Sequence, residues 1–136
     1  MNLVLNFLFL IFVLCFESNE TKCHKNTVVF QNNLSLSQST LKVHCKSRDD
    51  DLGDHFVKYK DNTYNFSFHD GVIFTTRFKC NLRKGSNLEY HKSFMAYEGH
   101  PIHRCGALYK WNARDEAIYL SKNRKPEKLM YSWIKD

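Results

Sequence analysis

The chain has 136 residues, and no lysine or arginine precedes its first apolar run. No apolar run reaches the roughly 20 residues of a membrane span. Glycine is held to 5 and proline to 2, which excludes collagen-like and proline-rich architectures. No stretch sustains a 3.6-residue apolar period, so a helical bundle is not expected. There is no nucleophile elbow, no phosphate loop and no convincing carboxylate pair, so no reaction class is indicated. What is present is apolar and aromatic: 43% hydrophobic residues, with 11 Phe and 7 Tyr. That content builds a core and excludes wholesale disorder. The length fits one domain.

Residues 3–16, LVLNFLFLIFVLCF, are interrupted only by Asn6. A run this short, followed at once by polar residues, fits the apolar region of a secretory leader. Cleavage after Ser18 is expected, with Phe16 at −3; a cut after Cys15, with Val13 at −3, is the alternative, and an N-terminal anchor is the competing reading. The organisation read here is a cleaved leader over residues 1–18 and a single domain over 19–136, with secretion to the extracellular space. The leader takes Cys15 with it and leaves Cys23, Cys45, Cys80 and Cys105. An even number of cysteines in a small secreted chain implies disulfides, and the spacing does not choose among three pairings. Asn19, Asn33 and Asn65 each begin an N-glycosylation sequon. Loss of Glu17 raises the formal net charge from +6 to +7. Such a chain is drawn to anionic walls, membranes or acidic receptor loops, unless the charge serves solubility alone.

The remaining sequence alternates with a period of two. Leu41, Val43 and Cys45 share one face. Tyr64, Phe66 and Phe68 share another, opposite Asn65 and Ser67. Phe74, Thr76, Phe78 and Cys80 form a third set, and Cys105, Ala107, Tyr109 and Trp111 a fourth. Further strands are expected at 27–30, 56–59, 93–97, 117–120 and 130–134. Turn residues separate them at 49–53, 60–62, 69–71 and 112–115. The pattern predicts an all-β fold: a disulfide-braced antiparallel β-sandwich of about eight or nine strands, with Cys45 and Cys80 facing the core.

Three clusters invite chemistry. The acidic run from Asp49 to Asp54 suggests calcium, but position twelve from Asp49 is Lys60, not the Glu of an EF-hand loop; a self-capped acidic turn is expected instead. His100, His103 and Cys105, with His44 and Cys45, have zinc-ligand types, but oxidised sulfurs are not thiolate ligands. His44, His69, His91 and His103 are the types a ribonuclease uses as base and acid, yet spacing selects no pair. No metal or cofactor is expected.

The ordered elements carry a resemblance. They are Val28 to Asn32, His44-Cys45-Lys46-Ser47, Asp51-Leu52-Gly53, Tyr64-x-Phe66-x-Phe68, Thr76-x-Phe78-x-Cys80, Phe94-x-x-Tyr97, Cys105, Trp111, Ile118-Tyr119 and Trp133. From about Thr27 to Trp133 the chain resembles the plant self-incompatibility protein S1 family, the S-protein homologues. It departs from that family's pattern at Lys79, where an aromatic residue is frequent, and at Phe66, where Trp is frequent. It also has Asp115-Glu116-Ala117 where Asp-Gly commonly precedes the Ile-Tyr pair; Gly accommodates a positive-φ turn there and Glu does not.

The resemblance implies a secreted β-sandwich that acts as a ligand, not an enzyme. The family's founding members are secreted by the stigma, meet a membrane protein on incompatible pollen and trigger calcium signalling and growth arrest. The expected partner is therefore a membrane receptor on a target cell, with no nucleic acid and no small-molecule substrate, and a monomer is expected. Loop 81–91, with Arg83, Lys84 and Asn87, is the first candidate contact, and the basic segment 122–128 the second. A basic defence protein acting on membranes and a secreted ribonuclease are the alternatives.

Overall fold

The computed structural model describes residues 22–61, 63–99 and 104–136. The expected leader, Asn19, His100 and His103 lie outside the described residues. Ten strands and no helix are present among the described residues: β1 (Asn26–Asn33), β2 (Leu41–Lys46), β3 (Asp51–Val57), β4 (Tyr64–Phe68), β5 (Arg77–Lys84), β6 (Tyr90–Glu98), β7 (Leu108–Arg114), β8 (Ile118–Lys122), β9 (Lys128–Tyr131) and β10 (Ile134–Lys135). They form two five-stranded sheets, β4-β1-β7-β8-β9 and β10-β6-β5-β2-β3. The sandwich is as the alternation predicts. One neighbouring pair, β1 with β7, runs parallel, because β1 and β7 both enter their sheet from the same end of the molecule.

The period-two faces are visible in burial. Val28, Phe30, Leu41, Val43, Cys45, Cys80, Leu82, Trp111 and Ile118 are buried between the sheets. Aromatic rings fill much of that space: Phe78 lies 4.8 Å from Phe66 and 4.6 Å from Phe68, and Phe94 lies 4.5 Å from Trp111. The Trp111 indole N–H donates to the Ala96 carbonyl at 3.1 Å, which satisfies the one polar atom of a buried ring.

Buried asparagines shape both ends of β1. At one end Asn32 donates to the carbonyls of Ser39 and Val57, at 2.9 and 2.8 Å, and accepts from the Leu34 amide at 3.0 Å. At the other, Asn26 accepts from the Ala107 amide at 2.9 Å and donates to Asp70 at 3.1 Å. Each side-chain amide supplies partners to backbone at strand ends and crossovers: Leu34 and Ser39 between β1 and β2 and Val57 at the end of β3 for Asn32, and Ala107 before β7 for Asn26.

The cysteines pair Cys23 with Cys105 and Cys45 with Cys80. Cys45 and Cys80 stand directly opposite one another on β2 and β5, inside the core. Cys105 does not lie on the strand expected for it: it precedes β7 and, like Cys23, is exposed.

Three further expectations need correction. Phe74 does not face the core; it sits in an exposed loop before β5. Asn112 does not begin a turn, since β7 runs on to Arg114 and the reversal falls at 115–117. That reversal closes without a positive-φ residue, so Glu116 replaces the customary Gly without backbone strain there. Segment 81–91 is not one loop: it is the end of β5, a five-residue hairpin at 85–89 and the start of β6.

Candidate contact surfaces

The outer face of the β10-β6-β5-β2-β3 sheet is basic. Register places Lys42 opposite Arg83 and Lys46 opposite Lys79. Like charges directly opposite on antiparallel strands are destabilising. Three of the four cations have a nearby acid: Lys42 lies 3.7 Å from Asp54, Arg83 donates to Asp136 at 3.2 Å, and Lys46 stands opposite Asp51 on β3. Lys46 and Lys79 are exposed. Apolar side chains share this face, with Phe56 at 61% exposure opposite Lys42 and Met95 at 40% opposite Lys79.

His44 lies on the same face between two carboxylates. Its Nε2 is 2.6 Å from Asp51 Oδ1 and its Nδ1 is 2.7 Å from Asp54 Oδ1. The Asp51 hydrogen bond, joined by the one to Asp54, holds the imidazolium above its ordinary pKa despite some burial. The Gly53 amide and then His44 hold the Asp51 carboxyl below its ordinary value. For a raised histidine, the stabilisation is fully present below the unfolded value of 6.5 and fades as pH climbs through the folded one. For Asp51 it is present above the unfolded 3.8 and fades as pH falls through the folded one. The β2–β3 edge is therefore firmest in mild acid. The unfolding free energy is expected to fall by roughly 1 kcal/mol or less between about pH 5.5 and pH 8, because the site is partly exposed. Denaturant titrations of wild type and His44→Asn at both pH values check this, and a slope of equal size in the variant would refute it.

The residues expected to contact a partner are placed differently from one another. Lys84 is buried and committed: its Nζ donates to the Asp115 carbonyl at 2.9 Å and stands 4.9 and 5.1 Å from the rings of Tyr90 and Trp133. Burial lowers its pKa, opposed by Asp115, Glu116 and Glu89. It holds the last strands against the β7–β8 turn and does not present itself to a partner. Arg83 is half-buried, with a second hydrogen bond to the Leu88 carbonyl at 3.1 Å. Asn87 is exposed in the hairpin. Among the described sequons, Asn65 is exposed on β4 and Asn33 is half-buried at the end of β1.

The histidines named for ribonuclease chemistry do not meet among the described residues. His44 and His91 are separated by β5, about 10 Å or more of sheet. His44 is engaged by Asp51 and Asp54, and His91 Nδ1 lies 2.7 Å from Asp136. No group of three or more His, Cys, Asp or Glu that could hold a metal ion occurs among the described residues. Cys45 and Cys105, named for zinc, are both in disulfides.

The far end of the sandwich is organised by Asp70, which the sequence suggests only as a turn residue. Its buried carboxylate accepts from Asn26 at 3.1 Å, the Tyr97 hydroxyl at 2.6 Å and the Arg104 amide at 3.0 Å. Burial, then the bond to Asp70, pushes the Tyr97 pKa far up. In the sequence, a lone Asp before Gly carries no signal that distinguishes this role from turn formation.

This arrangement of strands, bridges and loops has counterparts. The family model described as plant self-incompatibility protein S1 matches residues 27–133. The chain is 39% identical to S-protein homolog 11 of Arabidopsis thaliana, over 94% of this chain and 91% of that protein. It is 44% identical to S-protein homolog 8 of the same plant, over 80% of this chain and 81% of that protein. A solved structure of an SPH (self-incompatibility protein homologue), from a widespread family of small, highly stable, secreted plant proteins, superimposes with a TM-score of 0.65 at 28% identity, covering 82% of this chain and 96% of that one. The chain belongs to the plant self-incompatibility protein S1 family, the S-protein homologues.

Proposed function

We propose that the protein is a secreted, non-catalytic ligand that meets an acidic surface of a membrane receptor on a target cell through the outer face of its β10-β6-β5-β2-β3 sheet. The observation that carries this reading is the pair of like-charge oppositions, Lys42 with Arg83 and Lys46 with Lys79. Asp54, Asp136 and Asp51 offset Lys42, Arg83 and Lys46 in part, while the two cross-strand pairs themselves stay like-charged, an arrangement that costs stability. A partner carrying carboxylates relieves the repulsion on binding and speeds encounter. Phe56 and Met95 add apolar area to the same face, and Asn87 borders it at the hairpin. Rejection of self pollen is one setting for such a ligand.

Lys79→Glu separates binding from stability. It turns the Lys46–Lys79 opposition into an opposite-charge pair, so stability is expected to rise by about 0.2–1 kcal/mol. Association of labelled protein with target cells is expected to slow about tenfold and to lose part of its salt dependence. The cells to compare are pollen of several genotypes and vegetative tissue, with and without protease treatment. Saturable binding that protease removes, weakened by Lys79→Glu, supports the receptor reading. Unchanged association kinetics in the variant sink it.

A further inference from the structure

Loop 69–76 is closed at its neck. The Gly71 amide donates to Thr76 Oγ1 at 2.7 Å, and the Gly99 amide to the Thr76 carbonyl at 2.8 Å. A Cβ on Gly71 would fall 2.7 Å from the Phe74 carbonyl oxygen, so the neck needs glycine. Beyond it, Val72, Ile73 and Phe74 project at 92%, 86% and 62% exposure. Three consecutive large apolar residues this exposed are unlike scattered surface leucines, which need no explanation. The Arg48 guanidinium lies 3.9 Å from the Phe74 ring centroid, and Asp49 and Asp50 line the groove beneath the tip with it, so the cations that would draw an anionic surface are those of the neighbouring cleft.

The same end of the sandwich carries a second feature. Arg104, Lys122, Lys125 and Lys128 line a cleft with Tyr109, Leu120 and Met130, and no carboxylate lines it. Tip and cleft are mechanically joined: Asp70, which anchors the tip loop, accepts from the Arg104 amide at 3.0 Å. This end carries two loop acids, Asp49 and Asp50, beside the tip, against the cations of the cleft and Arg48; the opposite end has acids in its loops at Asp61, Glu89, Asp115 and Glu116. Neither described sequon lies at the basic end, since Asn33 is at the other end of β1 and Asn65 is on the outer face of β4.

We propose that this end docks onto anionic lipid bilayers, with Val72, Ile73 and Phe74 entering the interfacial layer and the cations of the cleft meeting headgroup phosphates and carboxylates. A bilayer offers an anionic plane and an apolar layer beneath it, and the molecule presents the matching pair at one end. Binding of this kind adds the buried apolar area to electrostatic attraction, so both are required. The inference stands apart from the receptor reading and uses a different surface.

Flotation with vesicles tests it. Mature protein is mixed with vesicles of phosphatidylcholine alone, or of phosphatidylcholine with phosphatidylserine, at low and high salt. The wild type is expected to float with the anionic vesicles and not with the neutral ones, and high salt is expected to weaken it. Val72→Ser with Ile73→Ser is expected to weaken binding about tenfold at unchanged charge. Lys125→Glu with Lys128→Glu is expected to abolish it. All four positions are exposed, and an unchanged thermal midpoint confirms folding. No flotation of the wild type overturns the proposal, as does flotation indifferent to the Val72 and Ile73 substitutions, which would leave charge attraction alone. Vesicles hold no protein and protease strips cells of receptors, so this proposal and the receptor reading fail separately.

Discussion

Asp70→Ala is expected to lose about 3–5 kcal/mol of unfolding free energy. The carboxylate is 6% exposed and serves three donors from three other parts of the chain: Asn26, Tyr97 and Arg104. Removing an acceptor leaves buried donors unsatisfied at about 1–3 kcal/mol each, and a charged acceptor makes the stronger bonds. The Arg104 amide recovers part of its loss from water, since it is only part-buried, and this keeps the total below the simple sum. Asp70→Asn conserves size but turns one oxygen into a donor facing donors, and it is expected to cost about half as much. Against a total of about 5–15 kcal/mol for a domain of this kind, either change is large. Guanidinium titrations of both variants measure it. A loss under about 1 kcal/mol for Asp70→Ala would mean that water replaces the carboxylate and that the network does not hold this end together.

Asp70 also marks where sequence reading stops. The alternation of Leu41, Val43 and Cys45, or of Tyr64, Phe66 and Phe68, reports which side of a strand meets the core, because successive side chains point to opposite faces. That is local information, and the structure keeps it. The partners of Asp70 lie 44, 27 and 34 residues away along the chain, so no local pattern encodes them. Lys84 illustrates the same limit. On the alternating pattern of β5 it falls on the inward side, with Leu82 and Cys80, so the placement is legible, but a basic side chain beside Gly85 reads equally well as a loop residue. Its partners Asp115, Tyr90 and Trp133 come from a turn and two other segments. Phe74 shows the opposite limit. The alternation of Phe78 and Cys80 extends backward through Thr76 to Phe74, but the ladder with β6 begins only at Arg77. Periodicity alone does not reveal where pairing ends. The candidate contact face is legible only in part: Arg83 stands out in the basic segment 81–91, but Lys42, Lys46 and Lys79 become one surface only through cross-strand register.

Removing the core bridge, by Cys45→Ala with Cys80→Ala, is expected to be the most damaging change of all, at about 5 kcal/mol. The two disulfides close loops of different length, with sequence separations of 35 for Cys45–Cys80 and 82 for Cys23–Cys105. Loop-closure entropy alone assigns the longer loop about 0.7 kcal/mol more, roughly 4.5 against 3.8 kcal/mol. Burial reverses that order. Cys45 and Cys80 are 0% and 1% exposed, and deleting both sulfurs opens a cavity between sheets that are already close-packed, adding about 1–2 kcal/mol. Cys23 and Cys105 are exposed, so their replacement leaves no void. Exposure also separates the bridges chemically, since thiol–disulfide exchange requires access for the attacking thiolate. Mild reduction of the folded protein followed by alkylation is expected to label Cys23 and Cys105 and to spare Cys45 and Cys80 until the chain unfolds. Peptide mass analysis reads the order directly. Simultaneous labelling of all four cysteines under native conditions, or a Cys23→Ala with Cys105→Ala variant less stable than the core double variant, would show that burial is not what ranks the two bridges.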